Sequence, residues 1–308
     1  MRLVTRSDFD GLACAVLLRE AGLIDDVLFA HPKDVQDGQV AITGEDVLAN
    51  LPFHADCGMW FDHHTSEHER LRLDDGFTYQ GRSESAPSCA RVIFDYFGGA
   101  EKFSRFERDG MLAAVDRCDS GRLTFEEILR PTGWILLSFL MDPRTGLGRY
   151  KDYRISNYQF MLQLIEHCRS LPVHEVLDLP DVQERVRRYS KQEWGYENML
   201  RRHATTAGNV IRIHLLETTR LLTGNRFKEY VLFPEQNVSM RIMWGRRRRN
   251  VVFSVGHSVV NRSCRTDVGS LMLRYGGGGR PQVGTCQVPV ADWPRVDAEI
   301  LRILQENG

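Results

Sequence analysis

A chain of 308 residues with 42% hydrophobic and 26% charged side chains has the length and composition of two ordinary globular domains. Its formal net charge of −1 excludes a global electrostatic pull towards nucleic acid or an anionic membrane, so any preference for an anionic ligand has to come from local charge. No apolar run approaches the roughly 20 residues of a membrane span, and the start of the chain lacks the apolar stretch of a secretory signal, which makes the cytoplasm the expected compartment.

In chain order, Leu3-Val4-Thr5 predicts a strand, 11–21 a helix behind an acidic loop, 27–30 a second strand, and 46–51 and 59–61 two more. Strands alternating with helices predict a mostly parallel sheet covered by helices. From about Pro87 to Arg202 the apolar spacing is mainly helical, with helices expected over 88–97, 106–115, 134–141 and 155–168. Residues 181–203 are polar and charged and predict a solvated helical connector. Strand patterns follow at 210–216, 230–233, 238–244 and 251–255. Then come a helix over 267–275, four glycines (Gly276 to Gly279), a strand around 285–288 and an amphipathic helix over 296–304. The fold class is therefore α/β, with a parallel-sheet domain over 1–180, a helical connector over 181–206 and a smaller α/β domain over 207–308.

Seven cysteines, odd in number and without a CxxC pair, argue against a disulfide framework or a cysteine-based zinc site. The carboxylates and histidines are more informative. Asp8 and Asp10 stand one residue apart after the first strand, followed by Gly11. Such a pair repels itself unless a cation compensates, and hard oxygen ligands suit Mn²⁺ or Mg²⁺. The same pair also suits an acidic helix N-terminus that complements the dipole. Asp62-His63-His64, followed by Thr65-Ser66, closes a later strand. Neutral imidazole ligates metals, and a nearby carboxylate orients it or binds a second ion. A polar turn is the plainer alternative. A third acidic element runs from Leu112 to Asp119, where Asp116 ends an apolar helix face. A carboxylate there gains nothing from the helix dipole and needs a cation, either a metal or Arg117. Arg246 to Arg249 are expected in a solvated hairpin turn, with an electrostatic funnel for a polyanion as the alternative. Ser85 and Ser88 are expected as helix caps.

These residues, in this order, resemble the DHH phosphoesterase superfamily, in the branch with a DHHA1 second domain, and are most similar to its exopolyphosphatase-related members. The first motif corresponds to Arg6-Ser7-Asp8-Phe9-Asp10-Gly11, the third to Asp62-His63-His64, the fourth to Asp116, and the DHHA1 glycine motif to Tyr275 through Arg280. The resemblance implies a DHH domain followed by a DHHA1 substrate-binding domain, and one or two Mn²⁺ (or Mg²⁺) ions. Asp8 would bind the first ion; Asp10, His63 and Asp116 the second, with Asp62 beside them. His64 would face the scissile phosphate, and Asn261, Arg262, Gly277, Gly278, Gly279 and Arg280 would meet the substrate. The implied reaction is hydrolysis of a phosphodiester, phosphomonoester or phosphoanhydride in a small nucleotide, short oligonucleotide or polyphosphate. Dimers are common among relatives, and a homodimer is the assembly implied.

Three positions depart from the family pattern. Arg6 stands where a metal-binding histidine is usual, and Arg280 where a histidine follows the glycines. Asn50 stands where a bridging aspartate is usual, unless the strand is registered earlier, which would offer Asp46 instead. A guanidinium cannot ligate a metal, although it binds phosphate well, so Arg6 is a candidate catalytic contact. The departures also admit a degenerate protein that binds a phosphorylated ligand without turnover.

Overall fold

A computed structural model describes residues 1–64, 78–218 and 220–307; Thr65 and Ser66 lie outside these. The chain forms two compact units. The first comprises residues 1–122 and 131–189, the second residues 123–130 and 190 onward.

In the first unit, strands β1 (Arg2–Thr5), β2 (Asp26–Phe29), β3 (Asp46–Ala49), β4 (Met59–Asp62) and β5 (Gly81–Ser83) form one parallel sheet in the order β2-β1-β3-β4-β5. Leu3, Val4, Val47, Leu48, Ala49, Trp60 and Phe61 are all buried, the continuous apolar runs of a sheet covered on both faces. Helix α1 (Phe9–Glu20) carries the chain from β1 to β2, with the short α2 (Pro32–Gln36) beyond. The chain then crosses to the other side of β1 to form β3. Loops leaving β1 and β3 therefore diverge, and the crevice between them is the usual ligand site of such a sheet. The register Thr5↔Ala49 brings the ends of these two strands level.

Helices α3 (Cys89–Tyr96), α4 (Gly99–Arg108) and α5 (Met111–Asp119) follow. The single helix expected over 106–115 is broken at Gly110, whose φ of 79° ends one helix and starts the next. After α6 (Phe125–Leu129), which belongs to the second unit, come α7 (Gly133–Met141), two 3₁₀ turns, α8 (Asn157–Ser170), α9 (Val173–Asp178) and α10 (Pro180–His203). Expected as a solvated connector, α10 in fact buries Val182, Arg185, Tyr189, Tyr196 and Leu200. Among these, the Arg185 guanidinium is buried against the rings of Tyr153 and Phe160, at 4.2 and 3.8 Å from their centroids.

The second unit has a six-stranded sheet in the order β10-β11-β9-β8-β7-β6. Its strands are β6 (Ala204–Ala207), β7 (Val210–His214), β8 (Val238–Trp244), β9 (Asn250–His257), β10 (Gly278–Arg280) and β11 (Val283–Pro289), antiparallel except at β7–β8. Met240, Ile242, Phe253 and Val255 pack with Leu271 of α12 (Val268–Leu273) and with Ile300 and Leu304 of α13 (Trp293–Glu306). Arg246–Arg248 form the tight turn between β8 and β9, as expected. The strand expected over 230–233 is instead helix α11 (Lys228–Leu232). Glu229 pairs with Arg241 and the Tyr230 hydroxyl bonds Ser239, two residues on one face of β8. A strand would send residues 229 and 230 to opposite faces.

Candidate metal centre

The chain leaves β1 through Arg6 and Ser7 to Asp8, which caps α1: its Oδ1 accepts the Gly11 N–H at 3.0 Å. Gly11 is required by crowding, because a Cβ there would lie 2.0 Å from the Arg6 carbonyl oxygen. Arg6 folds onto the same carboxylate, its Nε 3.1 Å from Asp8 Oδ2. Asn50, directly after β3, adopts a left-handed backbone (φ 56°) that asparagine tolerates better than most residues, and its Nδ2 donates to Asp8 Oδ1 at 3.4 Å. Its Oδ1 is buried with no partner among the described residues.

Asp46, the alternative to Asn50, sits at the other end of β3 and is fully engaged there. It accepts from Arg2 Nε and Nη2 at 2.7 and 2.9 Å and from the Thr43 N–H at 2.8 Å. It therefore does not reach the crevice.

Asp10 is buried in the first turn of α1 and faces the start of α3, accepting the N–H groups of Cys89 at 3.0 Å and Ala90 at 2.8 Å. Ser88 caps α3 as expected, its Oγ accepting the Arg91 N–H at 3.1 Å. These donors favour the carboxylate. Burial nevertheless holds the Asp10 pKa well above the usual carboxylate range, with Asp119 and Asp8 adding repulsion. A charged Asp10 in this place calls for a cation.

β4 delivers the histidines. Asp62 is completely buried and takes His64 Nδ1 at 2.6 Å and the His64 N–H at 3.3 Å, which fixes that ring. His63 Nδ1 lies 3.2 Å from the Ala86 carbonyl oxygen, which can only accept, so Nδ1 carries the proton and Nε2 presents a lone pair. That lone pair is buried, lies 3.3 Å from Asp119 Oδ2 and 3.9 Å from Asp10 Oδ2, and has no hydrogen-bond partner among the described residues. Three lone-pair donors that converge without a proton repel one another. Asp10, His63 and Asp119 bring their ligand atoms within 4.8 Å of each other, as do Asp62, His63 and His64. An imidazole with two carboxylates is a donor set that suits a divalent cation such as Mn²⁺. Burial raises the Asp119 pKa as well, although His63, Arg6 and Arg144 pull it down.

Asp116 does not join this group. Its Oδ2 is held by Arg91 Nε and Nη2 at 3.1 and 2.7 Å, and its Oδ1 accepts the Ser88 hydroxyl at 2.7 Å. The cation paired with it among the described residues is Arg91. The carboxylate at the histidine is Asp119, which the sequence reading passed over. Its signal was position: it is the last residue of α5, before Ser120 and a left-handed Gly121 (φ 65°).

The substrate-contact candidates belong to the second unit. The Gly276 and Gly277 N–H groups cap α12, donating to Leu273 O at 3.1 Å and Met272 O at 3.0 Å, so they are not exposed for a phosphate. Gly278 and Gly279 lie in β10 opposite Thr285 and Gly284. Glycine is demanded here by tight hairpin packing: a Cβ at Gly277 would lie 2.1 Å from Thr285 O, and one at Gly279 2.2 Å from Val283 O. Asn261 braces its own loop through Glu235 O and Ser263 Oγ, at 2.8 Å each, and Arg262 Nε bonds Val259 O. Arg280 ends β10 with its side chain exposed.

No protein-family model and no curated protein matches the chain. Among solved structures, it is similar to PggH of Vibrio cholerae, a pGpG-specific phosphodiesterase, at 45% identity over 100% of this chain and 99% of that one, with a TM-score of 0.85. Two more distant likenesses concern the fold alone. The DHH domain of a ribosomal-protein-family member gives a TM-score of 0.52 at 11% identity, over 99% of this chain and 87% of that one. RecJ of Thermus thermophilus, solved with Mg²⁺, gives 0.50 at 17%, over 99% of this chain and 50% of that one. Sharing nearly half its residues with a phosphodiesterase along its full length, and its fold with DHH domains, the chain belongs to the DHH phosphoesterase family of phosphate-ester hydrolases.

Proposed function

We propose that this protein is a divalent-metal-dependent phosphodiesterase that cuts short linear dinucleotides of the pGpG kind into nucleoside monophosphates. The metal dependence rests on one observation above all: the buried Nε2 of His63, without a hydrogen-bond partner among the described residues, facing Asp119 and Asp10. The substrate class is supported by the full-length likeness to a pGpG-specific enzyme.

In this reading Asp10, His63 and Asp119 hold one ion. Asp8 is already neutralised by Arg6 and neighboured by a neutral Asn50, which favours one ion over two. A bound Mn²⁺ or Mg²⁺ supplies Lewis acidity, making water more acidic and withdrawing charge from phosphoryl oxygens. The remaining chemistry belongs to side chains. As water oxygen bonds to phosphorus and the phosphorus–O3′ bond breaks, the leaving oxygen needs a proton. His64 gives it from Nε2, while Asp62 stabilises the imidazolium at Nδ1; the attacking water releases its proton to solvent, and His64 is reprotonated from there. Arg6 faces the phosphate charge, as a guanidinium does well.

The test is a substrate panel with the Mn²⁺-reconstituted protein: pGpG, other linear dinucleotides, cyclic dinucleotides, 3′-phosphoadenosine phosphate and polyphosphate. GMP released from pGpG, abolished by a chelator and restored by Mn²⁺, is the expected result. Binding of pGpG without cleavage at saturating Mn²⁺ would establish the degenerate reading instead. Preferential release of phosphate from polyphosphate would overturn the substrate.

A further inference from the structure

Helix α7 ends at Met141, and Asp142 caps the 3₁₀ turn Pro143–Thr145 that follows. A single oxygen, Asp142 Oδ1, accepts both the backbone N–H of Arg144, at 2.8 Å, and its side-chain Nε–H, at 2.7 Å. The root and the head of that side chain are thus fixed by one carboxylate. Among the described residues no hydrogen bond reaches Arg144 Nη1 or Nη2, and 54% of the side-chain surface is open to solvent.

The turn that carries this arginine lies beside the end of α5, which carries Asp119. Helices α5 and α7 pack together, with Cys118 Sγ 3.2 Å from Ser138 Oγ. Cys118 precedes Asp119, and Ser138 lies one turn before Asp142, so the two helices end side by side. Crowding disfavours the Arg144 charge, but Asp142, then Asp8 and Asp119, outweigh it and raise its pKa. Arg6 differs in kind. Its Nε sits on Asp8 itself, so its charge is drawn from the carboxylates that a metal would use. Arg144 is braced by an aspartate outside that group and keeps both terminal nitrogens for something else.

A guanidinium with two parallel free donors matches two oxygens of a phosphoryl group. We propose that Arg144 is a phosphate-binding residue of this site and that Asp142 is the positioning residue that aims it. The proposal rests on reading Asp10, His63 and Asp119 as a metal-dependent phosphoesterase centre.

Inorganic phosphate is the probe, titrated calorimetrically into the Mn²⁺-loaded full chain, with Mn²⁺ affinity and urea unfolding measured alongside. Arg144→Ala is expected to weaken phosphate by about tenfold or more, the loss of a charge-assisted pair, while Mn²⁺ affinity does not fall. Arg144→Lys keeps charge without the fork and is expected to recover only part of the loss, and Asp142→Asn to fall between; these two also cover an Arg144→Ala that fails to fold. Wild-type phosphate affinity in Arg144→Ala and Arg144→Lys would overturn the proposal. So would an equal loss of Mn²⁺ affinity, or a wild-type protein that binds no phosphate. None of these readouts depends on pGpG being the substrate, so failure there and failure here are separable.

Discussion

His63 turns its Nε2 lone pair towards Asp119, 3.3 Å from a carboxylate oxygen. Only a cation or an added proton makes that approach favourable. Asp119→Asn is therefore expected to lower Mn²⁺ affinity by at least the roughly 10- to 100-fold that loss of an outer-sphere partner costs. Asp116→Asn should leave Mn²⁺ affinity close to wild type and instead cost about 1–3 kcal/mol of stability, because Arg91 loses its partner. Titration calorimetry with urea unfolding separates the two. Equal loss of Mn²⁺ in both variants would reverse the assignment.

Asn50 offers a test of ion number. Asn50→Asp places a second carboxylate against Asp8, which should lower the melting temperature without metal and enlarge the rise on adding Mn²⁺. A Mn²⁺-induced rise no larger than that of wild type would show that no second ion enters. At the same position, Asn50→Gly should be more stable than Asn50→Ala by about 1 kcal/mol, because φ is 56° and both lose the same side-chain bond.

Asp46 should govern acid stability without touching the metal. Burial works to raise its pKa, but the bonds from Arg2 and Thr43 outweigh it and the pKa is lowered. A lowered folded-state pKa gives stability that is present above the unfolded value of about 3.9 and is lost as the pH falls through the folded one. Asp46→Asn should flatten that part of the stability profile in urea titrations below about pH 5. Its Mn²⁺ affinity should not change; a loss there would return Asp46 to the ligand set.

The glycines of the second unit should behave as packing residues. Gly279→Ala forces a Cβ to 2.2 Å from a backbone oxygen and should cost about 3 kcal/mol or more. Gly276→Ala meets nothing within 4 Å and should cost only the strain of its φ of 72°, about 1–2 kcal/mol. Urea unfolding measures both. Similar small costs would free the loop for a binding role.

Much of this was legible in the sequence because the signals are local. The parallel sheet announced itself through Leu3-Val4, Val47-Leu48 and Trp60-Phe61, apolar runs too short for helices and bounded by turn residues. The loops holding Asp8, Asp10 and the two histidines followed from where such strands end. What could not be read was which carboxylate of α5 faces His63. Asp116 and Asp119 lie three residues apart on one helix, and the choice is made by Arg91 and Ser88, distant in sequence, which claim the first. Arg144 was missed for a similar reason, since only the folded packing of α5 against α7 brings its turn beside the end of α5. The Tyr230 segment reads as a strand by composition and is helical because Glu229 and Tyr230 both bond β8.

Asp10 carries a consequence for how this protein empties and fills. Its two oxygens close the amide ends of Cys89 and Ala90, so one carboxylate serves as helix cap and as a candidate ligand at once. Charge drawn from it by an ion is drawn from those two amide bonds as well. The exchange rates of two backbone protons on α3 thus become a built-in gauge of occupancy, readable without any substrate.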